Sequence, residues 1–438
     1  MSPPDPGRSA PPPRLLVCAG ESERILARLE AGWSEGATVA LADPADAASL
    51  GALLGAARRA GQAPPPGAAV LVGSGGSTGG RRWCLQPLAH LEASARATAH
   101  WLEAQGLEPA SCHHLNPLPV HHVSGLLPWV RARLWGGSHR QLPPVLLHRP
   151  AELAELPGPE GRPRLLSLVP TQLARLLPHA EAVDWLRRCA VIWVGGAALS
   201  AELAEHARAL ELPLAPCYGA TETAAMVCAL PPAQFLAQDP ARAGCGLPLE
   251  DVELRLHPRS GAVQVRTARL SPGWFTAAGL EPLPRSAGGW WSSGDAGLLT
   301  PLGLVIRGRL DGAISSGGET VFPEQLEARL RLQAQQQGLP LAEVLLLGVE
   351  EPPWGQRLVA LVRGRNPADW ELLQHALPEL TGGWRPAERP RRWLPCPELA
   401  PTAAGKWQRS RWQHWLGRHR TSDQKRDRRD DRSQFMSS

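Results

Sequence analysis

Short apolar runs alternating with amphipathic stretches organise the first half of the chain. LLVCAGE (15–21) and ATVALAD (37–43) read as brief buried strands, and ESERILARLEAG between them spaces its apolar residues at the helical period. The Ala-rich ADAASLGALLGAARRAG (45–61) predicts an amphipathic helix that stops in the turn GQAPPPG. AAVLVGSGGSTGGRR (68–82) then runs from a β-branched strand into a glycine-rich loop. Further on, RLLSLVP (164–170), AVIWVGGAAL (190–199) and LPLAPCYGA (212–220) each set a short strand before a Gly or Pro turn, with helical patterns such as TQLARLLPHAEAVDWLRR between them. Such alternation predicts an α/β sheet whose loops gather at the carboxyl ends of its strands.

From VELRLHPRSGAVQVRTA (252–268) the spacing changes to hairpin-like strands, and a boundary falls near GRLDGAISSGGE (308–319). Beyond it FPEQLEARLRLQAQQQG reads as a helix, AEVLLLGVEE and RLVALVRG as strands, and DWELLQHALPEL as a second helix. That is a compact α+β module of about 100 residues, an ordinary domain size. The predicted organisation is a Pro-rich leader (1–13), a large N-terminal domain of α/β layers plus a β-rich subdomain (14–308), a hinge (309–311), a small mobile α+β C-terminal domain (312–418) and a disordered charged tail (419–438). No internal repeat interrupts this order.

Composition narrows the class. With 438 residues, 43% of them hydrophobic and 20% charged, the chain is that of a globular enzyme of two or three domains. Its net charge of +5 is modest, and much of the basic density lies in GRHRTSDQKRDRRDDRSQF, where both signs mix and apolar residues are scarce. Such a tail is solvated rather than a nucleic-acid arm. No run approaches the roughly 18 apolar residues of a spanning helix, and MSPPDPGRSAPPPR has no apolar core of a secretory signal. Eight cysteines without CxxC or CxxH spacing indicate neither zinc nor a disulfide framework, so a reducing cytoplasm is the expected location.

Several stretches carry candidate chemistry, each with a plainer reading beside it. SGGSTGGRR (74–82) offers backbone N–H groups free to turn toward one point, hydroxyls at Ser74, Ser77 and Thr78, glycines at Gly76 and Gly79, and a terminal cation at Arg82. That suits a phosphate, as it also suits a flexible linker. CYGATETAAM (217–226) holds the chain's single tyrosine, Tyr218, whose face can stack on a base; Gly219 follows, Thr221 can donate to a phosphate, and Glu222 is a hard oxygen ligand for Mg2+. A tyrosine packed at a strand end, with TET capping a helix, is the plainer alternative. GGWWSSGDAG (288–297) presents Asp295, either to ribose hydroxyls or merely as part of a hairpin turn. Arg309 and Asp311 border the boundary before SSGGE, which is a site of close ligand approach or a polar linker. His121 and His122 in LNPLPVHHVSGLL precede Val123 on a strand-like run and lack a third ligand at zinc spacing, so a pocket wall or core position is favoured over a metal. Finally PTAAGK holds Lys406, one of only two lysines in a chain that writes its other cations as arginine.

The order of these stretches, more than any one of them, is distinctive. From about Gly73 to Trp415 the chain resembles the adenylate-forming superfamily of acyl-CoA synthetases, luciferases and peptide-synthetase adenylation domains. Within it, GRLDGAISSGGETVFPEQLE, SLVPTQL and the compact length look most like the o-succinylbenzoate–CoA ligases of menaquinone or phylloquinone biosynthesis. The phosphate loop departs from the superfamily pattern, with Arg81 where proline is usual and Arg82 where lysine is usual, and the region before it is short, implying a reduced first subdomain.

The resemblance implies the following roles. Ser74, Gly76, Ser77, Thr78, Gly79 and Arg82 would hold phosphates; Gly195, Gly196 and Ala197 of VGGAAL would wall adenine and the acid; Tyr218 and Gly219 would flank adenine; Asp295 would bind the ribose. Thr221 would touch the α-phosphate, Glu222 would help hold Mg2+, and Arg309 would contact ribose or phosphate. His122 would gate the acid pocket, Asp311 would be the hinge, Gly317 and Gly318 would line the CoA channel, and Lys406 would be the catalytic lysine. ATP, Mg2+ and CoA are the implied cofactor and cosubstrates. A ligase for another aryl or fatty carboxylic acid, or a non-catalytic nucleotide-binding relative, is the alternative.

Overall fold

Three strands that are apolar on both faces, Leu15–Ala19, Thr38–Ala42 and Ala69–Ser74, pair in parallel, and Arg82–Pro87 turns back antiparallel against the third. In this computed structural model residues 15–74, 82–156, 161–237, 244–317, 319–352, 355–401 and 407–419 are described. Every residue of Thr38–Ala42 is buried, as a central strand flanked by the helices Ser22–Ser34 and Ala47–Arg59 must be. The sheet is completed from far along the chain: the hairpin Gly273–Thr276 and Gly279–Pro282 docks on Arg82–Pro87.

A second six-stranded sheet runs Ala225–Ala229, Leu214–Ala220, Cys189–Val194, Arg164–Leu168, His113–Asn116 and Ser138–Gln141, parallel except for the first. Its carboxyl ends gather Gly195 and Thr221 at one edge of the layer. A four-stranded antiparallel sheet, Glu253–Leu256, Ala262–Arg266, Trp291–Thr300 and Gly303–Arg309, supplies the expected β-rich part. The hairpin pattern from residue 252 is therefore divided between two sheets. Cys84 and Trp274 of the first sheet share one apolar cluster with Val191, Trp193 and Met226 of the second, so the seam between the sheets is packed core.

One local reading is refined and one is corrected. TQLARLLPHAEAVDWLRR forms two helices, Pro170–Leu176 and Ala180–Arg187, because Pro178 has no N–H to continue the ladder. Val123 opens the helix Val123–Trp135 rather than a strand-like run; this helix is apolar nearly all round, which hides its period. His122 stands at its N-cap in an extended conformation.

The chain divides into two compact units between Arg307 and Gly308. The second contains the pair Ile314–Ser316 and Glu319–Val321, the three-stranded sheet Leu341–Glu350, Gln356–Gly364 and Arg392–Pro395, and the helices Pro323–Gln336 and Trp370–Leu380. Arg409 is anchored in this unit, donating to the Leu346 carbonyl at 2.8 Å and to both oxygens of buried Glu327 at 2.9 and 3.0 Å. Burial pushes the Glu327 carboxyl up, and Arg409 opposes that shift. Thus the large α/β N-terminal part with a small α+β C-terminal part is the observed fold class. Among the described residues no helix is long and apolar enough to cross a membrane.

Candidate functional site

Tyr218 lies on Leu214–Ala220 and donates its hydroxyl to Asp295 Oδ2 at 2.5 Å. Burial, reinforced by the Asp295 charge and that hydrogen bond, holds the phenol well above its usual pKa, so it stays a donor at neutral pH. Asp295 is not in a turn, as the sequence suggested, but inside the long strand Trp291–Thr300. A bulge aims it: Ala262 pairs with Ala296 and Gln264 with Ser292, leaving Val263 opposite three residues, with Gly294 at φ +81°. Ser293 Oγ donates to the Val263 carbonyl and accepts from the Asp295 N–H, closing the bulge. The two residues predicted for adenine and ribose are thereby fastened together.

After Leu214–Ala220, Thr221–Thr223 forms a short 3-10 turn rather than the cap of an α-helix. Ala224 and Ala225 follow with φ of +51° and +75°, backbone that costs of order 1–3 kcal/mol at each non-glycine residue. The surroundings hold the turn in place. Thr223 Oγ1 accepts from the Ala220 N–H and donates to the Ala225 carbonyl; Gln86 Nε2 donates to the Thr221 carbonyl at 2.7 Å. Arg269, with no exposed surface, donates to the Thr223 carbonyl at 2.5 Å, the Met226 carbonyl at 2.9 Å and Asp251 Oδ2 at 2.6 Å. Within the turn, Glu222 is only 6% exposed, and its Oε1 accepts the Trp274 indole N–H at 3.0 Å. A Cβ on neighbouring Gly219 would stand 2.1 Å from the Ala225 carbonyl oxygen, so no larger residue fits beside the turn.

Ser74 ends its strand opposite Arg82, whose guanidinium lies 4.2 Å from the Trp274 ring centroid. Arg82 and Glu222 therefore meet the same indole, one on its face and one at its edge. Gly195, Gly196 and Ala197 follow the neighbouring parallel strand Cys189–Val194, and Gly195 backs onto Cys217. His122 lies in the connection after His113–Asn116, its ring 4.6 Å from that of His121, which contacts Asp43 at 3.5 Å.

Beside this wall sits a residue the sequence reading did not single out. Arg131, on Val123–Trp135, is 4% exposed and has no ion pair among the described residues; its Nε has no hydrogen-bond partner there. Its guanidinium lies 5.0 Å from the Trp193 ring centroid and close to Cys217. Burial pulls it down to about 10, still cationic at neutral pH, while burial pushes the Cys217 thiol up to about 12, still neutral. A buried cation with no ion pair among the described residues is costly, and an anionic group brought to it would offset that cost. The signal in the sequence was an arginine four residues after Leu127, at core spacing in an apolar helix. Arg269, Gln86 and Trp274 gave no such signal, because their partners are far away along the chain.

In the second unit Arg309 and Asp311 form a two-pronged pair at 3.2 Å, and Gly317 follows Ile314–Ser316 with φ +58°. Gly76, Ser77, Thr78, Gly79, Arg81, Gly318 and Lys406 lie outside the described residues.

With that geometry in place, comparison with known proteins is decisive for the family. Residues 14–267, more than half of the chain, match the AMP-binding enzyme family. The chain belongs to this family. A probable 2-succinylbenzoate–CoA ligase of Mycobacterium tuberculosis is 30% identical to this AMP-binding enzyme over 328 residues, 71% of the chain and 74% of the relative. The 2-succinylbenzoate–CoA ligase of Salmonella typhimurium is 31% identical over 252 residues, covering 57% of this chain. The chain spans about half the length of that relative and of a Bacillus pumilus counterpart. Among solved structures, o-succinylbenzoate CoA synthetase from Bacillus subtilis, in complex with its acyl-adenylate intermediate, superposes with a TM-score of 0.70 at 20% identity, covering 91% of this chain and 87% of that one. That likeness establishes the shared fold.

Proposed function

We propose that the protein is an ATP-dependent acid–CoA ligase that activates o-succinylbenzoate, a step in menaquinone or phylloquinone biosynthesis. A carboxylate oxygen of the acid attacks the α-phosphorus of ATP, the bond to the bridging oxygen breaks, and pyrophosphate leaves. The CoA sulfur then attacks the acyl carbon, the bond to AMP breaks, and the thiol proton passes to solvent. Both steps gather anions, so positioning and fixed positive charge are what the protein must supply.

Tyr218 and Asp295 would hold the adenosine, with Gly195 and Gly196 as its wall. Arg82 would meet the phosphates, and Thr221 the α-phosphoryl group. Among the described residues no three His, Cys, Asp or Glu side chains are grouped to hold a metal unaided. Glu222 offers one buried carboxylate with a second oxygen not engaged by Trp274, which fits an ion bound chiefly through phosphates. Mg2+ held there would offset the triphosphate charge.

The observation that carries the choice of acid is Arg131. A monocarboxylate spends its carboxylate in the reaction; only an acid with a second anionic group answers a buried cation that stands by Trp193 and Cys217, behind the proposed Gly195 wall. The 2-succinylbenzoate ligases among the relatives are named for such a dicarboxylate.

ATP-dependent pyrophosphate release across a panel of carboxylic acids, with and without CoA, tests this. Selective turnover of o-succinylbenzoate with thioester formation is the expected result, and ATP binding with no acid turned over would favour a non-catalytic relative. In the same assay Arg131→Met should lower kcat/KM for o-succinylbenzoate by about 10²-fold, the order expected for losing a buried charge pair, while benzoate and fatty acids change little. Equal loss for all acids would make Arg131 a fold determinant only.

A further inference from the structure

The contacts of Trp274 have a physical reading beyond core packing. Its strand pairs with Arg82–Pro87 so that Trp274 faces Cys84, which puts Arg82, two residues along, on the same face of the sheet. There the guanidinium covers the indole at 4.2 Å, while the indole N–H donates to Glu222 Oε1 at 3.0 Å. Glu222 is tied to the same loop a second time, through its carbonyl, which accepts the Ser271 N–H at 2.7 Å. Ser271 is itself held by the Leu85 and Gly273 carbonyls, both of which accept from its hydroxyl. Trp274 is 9% exposed and Glu222 6%, so the indole–carboxylate hydrogen bond acts away from bulk water, where it is strengthened, while Arg82 covers the ring from an exposed position.

We propose that Trp274 is a positioning residue that fixes the phosphate-binding cation Arg82 and the metal-binding carboxylate Glu222 at one separation; this rests on the adenylating function proposed above. The indole does so with two different parts. Its face attracts the cation through the ring quadrupole, and its edge pins one carboxylate oxygen, leaving the other to turn toward a metal. A cation on the face draws electron density from the ring and makes the N–H a better donor, so the two contacts reinforce each other. A phenylalanine at this position would keep the first contact and lose the second.

The test separates the two arms by binding rather than turnover. Mn2+ is titrated by electron paramagnetic resonance in the presence of a non-hydrolysable ATP analogue, and the metal-free analogue is titrated by calorimetry. Trp274→Phe is expected to weaken Mn2+ binding five- to tenfold while metal-free nucleotide binding stays within twofold. The double variant Trp274→Phe with Glu222→Gln should bind Mn2+ no more weakly than Glu222→Gln alone. Arg82→Met, at an exposed position that does not threaten folding, should weaken metal-free nucleotide binding and also weaken Mn2+ binding two- to threefold. Unchanged Mn2+ affinity in Trp274→Phe, or fully additive losses in the double variant, overturns the proposal while leaving the adenylating function standing. Wild-type protein that binds no nucleotide overturns both.

Discussion

Replacing Lys406 with alanine is expected to lower adenylate formation by about 10²–10³-fold, the loss typical when one group that stabilises transition-state charge is removed. Transfer of the acyl group from supplied acyl adenylate to CoA should be largely spared. The reason is chemical. In the first half of the proposed reaction two anions, the acid carboxylate and the α-phosphoryl group, must be brought together, and negative charge grows on the phosphoryl oxygens. A compact ammonium on a flexible stem reaches between them as a point charge, whereas a guanidinium is broad, planar and suited to two-pronged pairing. Lys406→Arg should therefore restore little of the lost rate. Pyrophosphate release measured separately from thioester formation checks this, and equal loss of both half-reactions would remove Lys406 from its role.

The second large effect concerns stability. Arg269→Met should destabilise the first unit by about 3–5 kcal/mol, the cost of breaking a buried charge pair from one side. Three acceptors lose their donor together: the Thr223 carbonyl, the Met226 carbonyl and the Asp251 carboxylate. The first two bracket Ala224 and Ala225, whose left-handed backbone needs outside support. Chemical denaturation should thus show a lower midpoint, and nucleotide affinity should fall even where the variant is folded. A midpoint unchanged from wild type would mean that Thr223 and Gln86 hold the turn unaided.

Much of the architecture was legible along the chain because it depends on local periodicity. Val39, Ala40, Leu41 and Ala42, like Val70, Leu71 and Val72, report buried parallel strands by being apolar on consecutive positions, and Leu326, Leu330 and Ala334 report a helix by spacing. Tyr218, Thr221, Glu222 and Asp295 were legible as candidates because each sits in a short stretch whose order along the chain is distinctive. Less legible were local conformations that turn on one residue or on a single long-range contact. Pro178 splits a helical pattern in two, and the bulge at Gly294 moves Asp295 from a turn into a strand.

The amino-acid sequence by itself determined the alternating α/β layers, the small α+β module after residue 308, the family, and which residue types stand ready for nucleotide chemistry. Only the tertiary structure decided which of them touch. Tyr218 meets Asp295 across 77 positions, Trp274 meets Glu222 across 52, and Gln86 meets Thr221 across 135. That Arg131 has no ion pair among the described residues is likewise a property of what packs around it. Periodicity is written into neighbouring residues because a helix or strand repeats within a few positions. Hydrogen bonds between buried side chains depend on how whole sheets dock, and that is set by the packing of the entire core.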